Sequence, residues 1–212
     1  MKKFLVILAV LAIAVSAQAQ NLVTNGDFSS NTLSGWNEYH SSWTDTGKTN
    51  YDATPGYAEI YSATNYFWAD EILFQTIAVG VGGYNYSMDV AGKVGNQGWS
   101  EAFAFFENTG TGLSTIGNDI DDSNNHTPPY ATIHSKWTAN MEYDQTLSGT
   151  LNSTKSQLMV IGMKLGSYTQ STNNTFMHMD NVSVSAVPEP SSFLALGTGL
   201  MGLAGFVIRR KK

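Results

Sequence analysis

An all-β fold, built as a two-sheet sandwich, is predicted for the body of this 212-residue chain by three observations. Apolar residues alternate with polar ones in many short runs, the period of a strand with one buried face. The supply of Asn, Ser, Thr and Gly is rich, with 12% aromatic and only 13% charged residues, which suits β-structure with polar loops. Between Gln20 and Ala186 no apolar stripe runs at helical spacing, no heptads occur and no internal repeat is found.

Taken in order, Tyr57 to Tyr61 reads as the first clear strand. EILFQTIAV (Glu71 to Val79) follows, and Gly80-Val81-Gly82-Gly83 after it reads as a hairpin-like turn of residues that tolerate positive φ. GYNYSMDV (Gly83 to Val90) then alternates Tyr84, Tyr86, Met88 and Val90 against Asn85, Ser87 and Asp89. In SEAFAFFE (Ser100 to Glu107), Phe103 and Phe105 share one face, and Ala102, Ala104 and Phe106 share the other. Strands are further predicted at Tyr143 to Leu151, Gln157 to Leu165 and Thr175 to Ala186, with Gly, Asn, Ser and Pro breaking the chain between them. Strands at this spacing argue for two packed sheets, with the first and last strands adjacent.

The two ends differ from the body. Lys2 and Lys3 precede an apolar run, Phe4 to Val15, and Ala17-Gln18-Ala19 is a small-x-small cleavage site, so residues 1–19 read as an export signal. At the other end Val187-Pro188-Glu189-Pro190 is followed by 16 uncharged residues, 193–208, and then by Arg209, Arg210, Lys211 and Lys212. As a helix at about 1.5 Å per residue that run spans roughly 24 Å, short of a bilayer core of about 30 Å but workable with local thinning and snorkelling Arg and Lys. The basic cluster would stay cytoplasmic and hold everything before Pro188 outside. A buried C-terminal helix of a soluble domain would not be uniformly apolar and end in four cations.

This tripartite end resembles the PEP-CTERM proteins of Gram-negative, exopolysaccharide-producing bacteria. The resemblance implies that Pro188, Glu189 and Pro190 are a processing motif acted on by an exosortase, a membrane protease-transferase. It implies a temporary inner-membrane anchor at 193–208, a membrane-stop cluster at 209–212 and delivery of residues 20–186 to the cell surface or extracellular matrix.

That exported part holds five lysines, no arginine and sixteen acids, a net charge of −11. A field of that sign repels phosphate backbones and anionic head groups, which disfavours nucleic acid and peripheral membrane as partners and leaves divalent cations and neutral glycans. Cysteine is absent, so neither disulfides nor a thiolate nucleophile nor a cysteine metal site exists, and the core must hold the fold alone. A domain of this length buries roughly two thirds of its extended surface, which is enough.

NLVTNGDFSSNTLSGW (Asn21 to Trp36) resembles the opening of galactose-binding-like jelly rolls, in particular the family 4/9 and 22 carbohydrate-binding modules, whose first strand carries such a motif. Phe74-Gln75-Thr76-Ile77, the Tyr84 and Tyr86 strand and the closing Met179-Asp180-Asn181-Val182-Ser183-Val184 agree with it in order and spacing. The resemblance implies a jelly-roll β-sandwich over 20–186, with Trp36 in its core. It also implies a structural Ca²⁺ held by Asp180 with Asp27 or backbone oxygens, against the plainer reading in which Asp180 makes turn or backbone hydrogen bonds. Ser29 stands where the family often has Glu, removing one anionic ligand. A second acidic stretch, GNDIDDSNNHTPP (Gly117 to Pro129), starts like an EF-hand loop but has Asn124 at the glycine position and Tyr130 at the bidentate position, and reads as a solvated loop.

Function then rests on aromatic side chains. Trp and Tyr faces stack on the apolar side of a pyranose while Asn, Gln and Asp bind its hydroxyls. Tyr39, Trp43, Trp68, Trp99, Tyr130 and Trp137 lie in polar segments, and Phe103 and Phe105, beside Glu101 and Glu107, would floor a groove. Each read singly is ordinary packing under a loop; together they make glycan-binding candidates. The nucleophile-elbow, metalloprotease, P-loop and dinucleotide motifs are absent, and His40, His126, His134 and His178 are scattered. A carboxylate pair for glycoside hydrolysis stays open among sixteen acids. The expectation is a non-catalytic polysaccharide-binding protein, with a structural or adhesive matrix protein as its alternative.

Overall fold

The computed structural model describes residues 20–40, 49–53, 56–62, 69–94, 98–107, 112, 130–136, 141–167 and 175–188. The expected export signal (1–19), the expected membrane segment (193–208), Glu189, Pro190 and the basic cluster all lie outside them. So does the acidic stretch 117–129. Residues 21–185 form one compact unit, and the following concerns that unit.

Its elements are β1 (Asn37–His40), β2 (Thr49–Asp52), β3 (Ala58–Ser62), β4 (Ala69–Val79), β5 (Gly82–Val94), β6 (Gly98–Glu107), β7 (Tyr130–Lys136), β8 (Met141–Ser153), β9 (Gln157–Ser167) and β10 (Phe176–Ala186). Among the described residues no helix occurs. One sheet has the order β1-β4-β9-β6-β7 and the other β2-β3-β10-β5-β8. The pairs β3/β10, β4/β9, β5/β8 and β6/β7 nest inside one another and alternate between the sheets, the pattern of a long hairpin rolled on itself. That is the jelly-roll sandwich expected, with β1 and β2 added at the two edges.

The core follows from the alternation. Leu73, Ile77 and Val79 of β4, Ala102, Ala104 and Phe106 of β6, and Met159, Ile161, Met163 and Leu165 of β9 face Ile60, Tyr84, Tyr86, Met88, Val90, Met177, Met179, Val182 and Val184 of the other sheet. Two polar groups join this inner layer where β1, β2 and β4 meet. The Glu71 carboxylate is wholly buried; Tyr51 donates its hydroxyl to Oε2 at 2.5 Å, and His40 Nδ1 lies 2.5 Å from the same oxygen. Burial, and then the Glu71 charge, push the Tyr51 hydroxyl far above the usual phenol range, so it stays a donor.

Two expectations are corrected. The glycine turn after β4 is not a hairpin, because β4 and β5 lie in opposite sheets. It is an arch between layers, with Gly82 at φ 143° and the Gly80 N–H donating to the Tyr84 hydroxyl at 2.9 Å. The opening motif is not a strand either. Residues 21–36 form a chain of turns, with Asn25, Phe28 and Asn31 in the left-handed region. The segment still borders the last strand, as adjacency of the two ends requires: the Leu22 N–H donates to the Val184 carbonyl and the Val182 N–H to that of Gly26, both at 2.8 Å. Gln75 of β4 ties it to the other sheet, accepting from the Thr24 N–H at 2.8 Å and donating to the Thr24 carbonyl at 3.0 Å. The Asn-Gly-Asp-Phe sequence thereby acquires physical roles. A Cβ at Gly26 would meet the Val182 carbonyl oxygen at 2.1 Å. Phe28, at an unfavourable φ of 45°, is held there by complete burial and by the Trp36 ring, 5.3 Å away. Trp36 itself is core, as expected.

Candidate functional site

The outer face of the β1-β4-β9-β6-β7 sheet differs from an ordinary sandwich exterior. Side chains opposite one another in an antiparallel pair share a face, so the register sorts residues into rows. One row runs Asn37, Phe74, Gly162 and Phe103 across β1, β4, β9 and β6. A second runs Tyr39, Ile72, Lys164 and Glu101. On the far side of the first row come Thr76, Val160 and Phe105, then Ala78, Leu158 and Glu107. The backbone ladder continues from β6 to β7, pairing Phe105 with Tyr130 and Trp99 with Lys136.

Ile72, Phe74, Phe103, Phe105 and Val160 form a second apolar cluster here, separate from the core, with Tyr39 and Leu158 partly buried against it. The Phe103 and Phe105 ring centroids lie 5.8 Å apart, tilted by 52°. The middle of the face is narrow by construction. A Cβ at Gly162 would fall 2.2 Å from the Leu73 carbonyl oxygen and 2.8 Å from Phe74, so glycine is what lets β9 lie this close to β4 between the two phenylalanine strands. Glu101 and Lys164 stand directly opposite each other and are almost fully buried, as is Glu107. Charge therefore lies within an otherwise apolar strip.

Of the eight aromatic candidates, Tyr39 on β1 and Phe103 and Phe105 on β6 lie on this face, while Trp99 of β6 and Tyr130 of β7 occupy register positions in the same sheet. Phe103 and Phe105 are buried in the apolar cluster, at 0% and 5% exposure, and Tyr39 packs against it; they are the floor of the face more than its surface. Trp43, Trp68 and Trp137 lie outside the described residues. Sequence reasoning missed Ile72, Phe74, Val160 and Lys164. Their signal was available: EILFQTIAV, SEAFAFFE and LMVIGMKL are apolar on both faces, the pattern of strands covered on two sides.

The residues weighed for calcium sit elsewhere, where the opening segment meets β10. An open hollow of about 400 Å³ is lined by Asn21, Asn25, Asp27, Asn181 and Ser183, among others. The Asp27 carboxylate accepts from the Ser29 N–H and Oγ, at 3.2 and 3.0 Å, and these bonds lower its pKa. Asp180 is raised above the usual carboxylate range by partial burial and by the charges of Asp89 and Asp27, while its Oδ1 accepts from the Asn181 N–H at 2.6 Å. Asp89 is lowered by hydrogen bonds from Thr146 at 2.6 Å and Asn181 at 3.0 Å. The carboxylates thus feel one another but are engaged locally. Among the described residues no three of His, Cys, Asp and Glu are grouped to hold one metal ion. Local hydrogen bonds engage both acids, and a Ca²⁺ here would draw on Asp180 with Asp27 or backbone oxygens.

On the outer face of the other sheet, His178 of β10 lies stacked between Tyr57 and Phe176, with centroids at 4.3 and 4.6 Å, and its Nε2 is 3.0 Å from Glu59 Oε1. These rings spend their flat faces on one another. Most of what surrounds them is a polar ladder: Asn85, Ser87 and Asp89 of β5 stand opposite Thr150, Ser148 and Thr146 of β8.

Residues 186–211 match the family model of the PEP-CTERM protein-sorting motif. The chain carries an exosortase-type sorting signal. That motif indicates export and membrane-anchored sorting, and implies processing by an exosortase; Pro188, its first proline, is exposed in the structure. Among curated proteins none matches the chain. Solved structures similar in fold include a family 4 carbohydrate-binding module, "CBM4 structure and function", at 18% identity over 78% of this chain and 99% of that one, TM-score 0.44. Another is TmCBM61 in complex with β-1,4-galactotriose, at 10% identity over 80% and 100%, TM-score 0.46. A third is the enzymatically active domain of bacteriophage CBA120 tailspike protein 4, at 11% identity and TM-score 0.48; the alignment takes in 79% of this chain and 21% of that one. The fold assignment rests on the nested strand order above, independently of these likenesses.

Proposed function

We propose that the chain is an exported protein that binds polysaccharide non-covalently through the outer face of the β1-β4-β9-β6-β7 sheet, without catalysing a reaction on it. In this reading residues 1–19 are removed on export, and the 193–208 segment anchors the chain in the inner membrane. The 209–212 cluster stops transfer, and an exosortase acts near Pro188, Glu189 and Pro190. The body then serves at the cell surface or in an exopolysaccharide matrix. The observation that supports the binding role is the apolar floor on one outer sheet face, where Ile72, Phe74, Phe103, Phe105 and Val160 cluster with Tyr39 packed against them and Glu101, Lys164 and Glu107 in the neighbouring rows. The net charge of −11 over residues 20–186 favours neutral glycans over anionic ones.

The test is titration of residues 20–186 against soluble and insoluble neutral polysaccharides, with calcium and with chelator. Saturable binding competed by free oligosaccharide, and lost in Trp99→Ala and Tyr39→Ala proteins that remain folded, is the expected result. Folded protein that binds none of them ends the glycan reading and leaves the structural or adhesive matrix role.

A further inference from the structure

Among the described residues the jelly roll leaves four edge strands, and they are unequal. β1 and β2 have four residues each and β7 has seven, whereas β8 has 13. Short edges offer little to a neighbouring chain; a long regular one presents a row of backbone N–H and C=O groups to any strand that fits. Among the described residues, the protection β8 has is a pair of acids at its N-terminal end. Its register with β5 is unbroken from Gly82↔Ser153 to Val94↔Met141, so no bulge turns the edge away. It contains neither proline nor lysine, and Gln145 to Ser153 is uncharged. Among the described residues β5 is its sole strand partner. Glu142, Asp144, Gln145, Thr146, Ser148, Gly149 and Thr150 are exposed along it.

We infer that β8 is a self-association edge, pairing antiparallel with β8 of a second copy about a two-fold axis at Ser148. The charge pattern selects this occupant and this direction. Both acids of β8, Glu142 and Asp144, sit at its N-terminal end. A parallel pair would set them against their own copies, whereas the antiparallel pair centred on Ser148 sets them against Thr154 and Asn152. The same register places Thr146 opposite Thr150 in both halves, a favourable cross-strand pair. Two five-stranded sheets then become one continuous sheet, and the interface is isologous, so it closes as a dimer. The outer face of the other sheet takes no part, so self-association and glycan binding are separable.

The chain has no cysteine, so single introduced thiols report contacts cleanly. Across an antiparallel pair opposite Cα atoms lie about 4.5–5.5 Å apart, inside the roughly 4.4–6.8 Å that a disulfide spans. Full chain in detergent, carrying Ser148→Cys, is expected to form a disulfide-linked dimer under mild oxidation at least tenfold faster than full chain carrying Val81→Cys, an exposed site on the arch past the Gly82↔Ser153 end of the ladder and far along it from Ser148. Ser148→Lys, which sets two cations against each other on the axis, is expected to weaken the dimer at least tenfold in sedimentation equilibrium. Wild-type chain that sediments as a monomer throughout, equal cross-linking at the two sites, or a dimer untouched by Ser148→Lys would overturn the inference. Should Ser148→Lys fail to fold, the two cysteine variants decide alone.

Discussion

The two outer faces of this sandwich were built from the same fold and the same composition, yet one is sealed with phenylalanine and the other is a ladder of Ser, Thr, Asn and Asp. On β5 and β8 the outward side chains bond each other across the pair, Thr150 to Asn85 at 2.7 Å and Thr146 to Asp89 at 2.6 Å. On β4, β6 and β9 they are Ile72, Phe74, Phe103, Phe105 and Val160, as buried as the inner core. A jelly roll needs only the apolar layer between its sheets; the second apolar layer, itself buried, underlies the face on which we propose that polysaccharide binds. A structural layer and a ligand floor differ in what their loss does, and substitutions on the two faces separate them.

The largest difference is expected from Phe103→Ala. A fully buried phenylalanine truncated in place costs about 3–5 kcal/mol when its neighbours cannot collapse. Ser87→Ala, at the matching position of the polar face, should stay within about 0.5 kcal/mol. Urea unfolding of the two variants checks this. A Phe103→Ala loss under about 1 kcal/mol would mean that the outer cluster is loosely packed and held for ligand contact alone.

Next comes Gly162→Ala, which adds a methyl group where the Leu73 carbonyl and Phe74 already stand. Overpacking of this kind costs about 1–3 kcal/mol. Because the strain falls in the row that joins Phe74 to Phe103, glycan affinity should fall along with stability. Gly149 of the other sheet lies on the inner face opposite Tyr86, where an added Cβ would meet the hydroxyl end of that ring and no backbone atom, so Gly149→Ala should be milder. Equal losses from both would show that proximity of the strands, not the aromatic rows, sets the tolerance.

The comparison also explains what was legible in the sequence. Seven of the ten strands announced themselves by alternation or by apolar runs, and the inner core followed from them. β1, β2 and β7 did not: NEYH, TNYD and YATIHSK are short or polar edge segments with too few residues to show a period. The Asn21 to Trp36 motif was informative about the fold while misleading about its own conformation, because its left-handed residues are set by contacts with Val182, Val184 and Gln75, all far away in the chain. Tyr39, Phe103 and Phe105 meet on one face only through pairings of β6 with β9, and of β4 with β1 and β9. Local pattern gives the face of each residue; only register gives its neighbours.

A smaller effect tests where the two sheets are joined rather than where they differ. Tyr51 reaches from the β2-β3-β10-β5-β8 sheet to Glu71 of the other. Tyr51→Phe removes that donor from a buried carboxylate and should cost about 1–3 kcal/mol, read by thermal unfolding. It should leave glycan affinity unchanged, since Glu71 faces the inner layer. A loss of binding without loss of stability would instead tie this end of the sandwich to the ligand.

The smallest effect is expected at Asp180, and its value lies in its sign. Burial, with Asp89 and Asp27 nearby, raises the folded-state pKa of Asp180 above that of the unfolded chain. The folded protein therefore binds more proton in the window between the two values, and this residue's contribution is present at low pH and lost as pH rises through the folded value. Asp27 and Asp89, both lowered by hydrogen bonds, act in the opposite sense: their contributions are present above the unfolded carboxylate value and lost as pH falls through the folded ones. Asp180→Asn keeps an oxygen for the Asn181 N–H and removes the charge, so it should stabilise slightly at neutral pH, within about 0.5 kcal/mol, with the gain vanishing near pH 3. Melting temperatures of both proteins at the two pH values, each with calcium and with chelator, check it. A calcium ion held at Asp180 reverses the prediction, because the neutral side chain would then lose a ligand: the variant would melt lower than the wild type in calcium and match or exceed it in chelator.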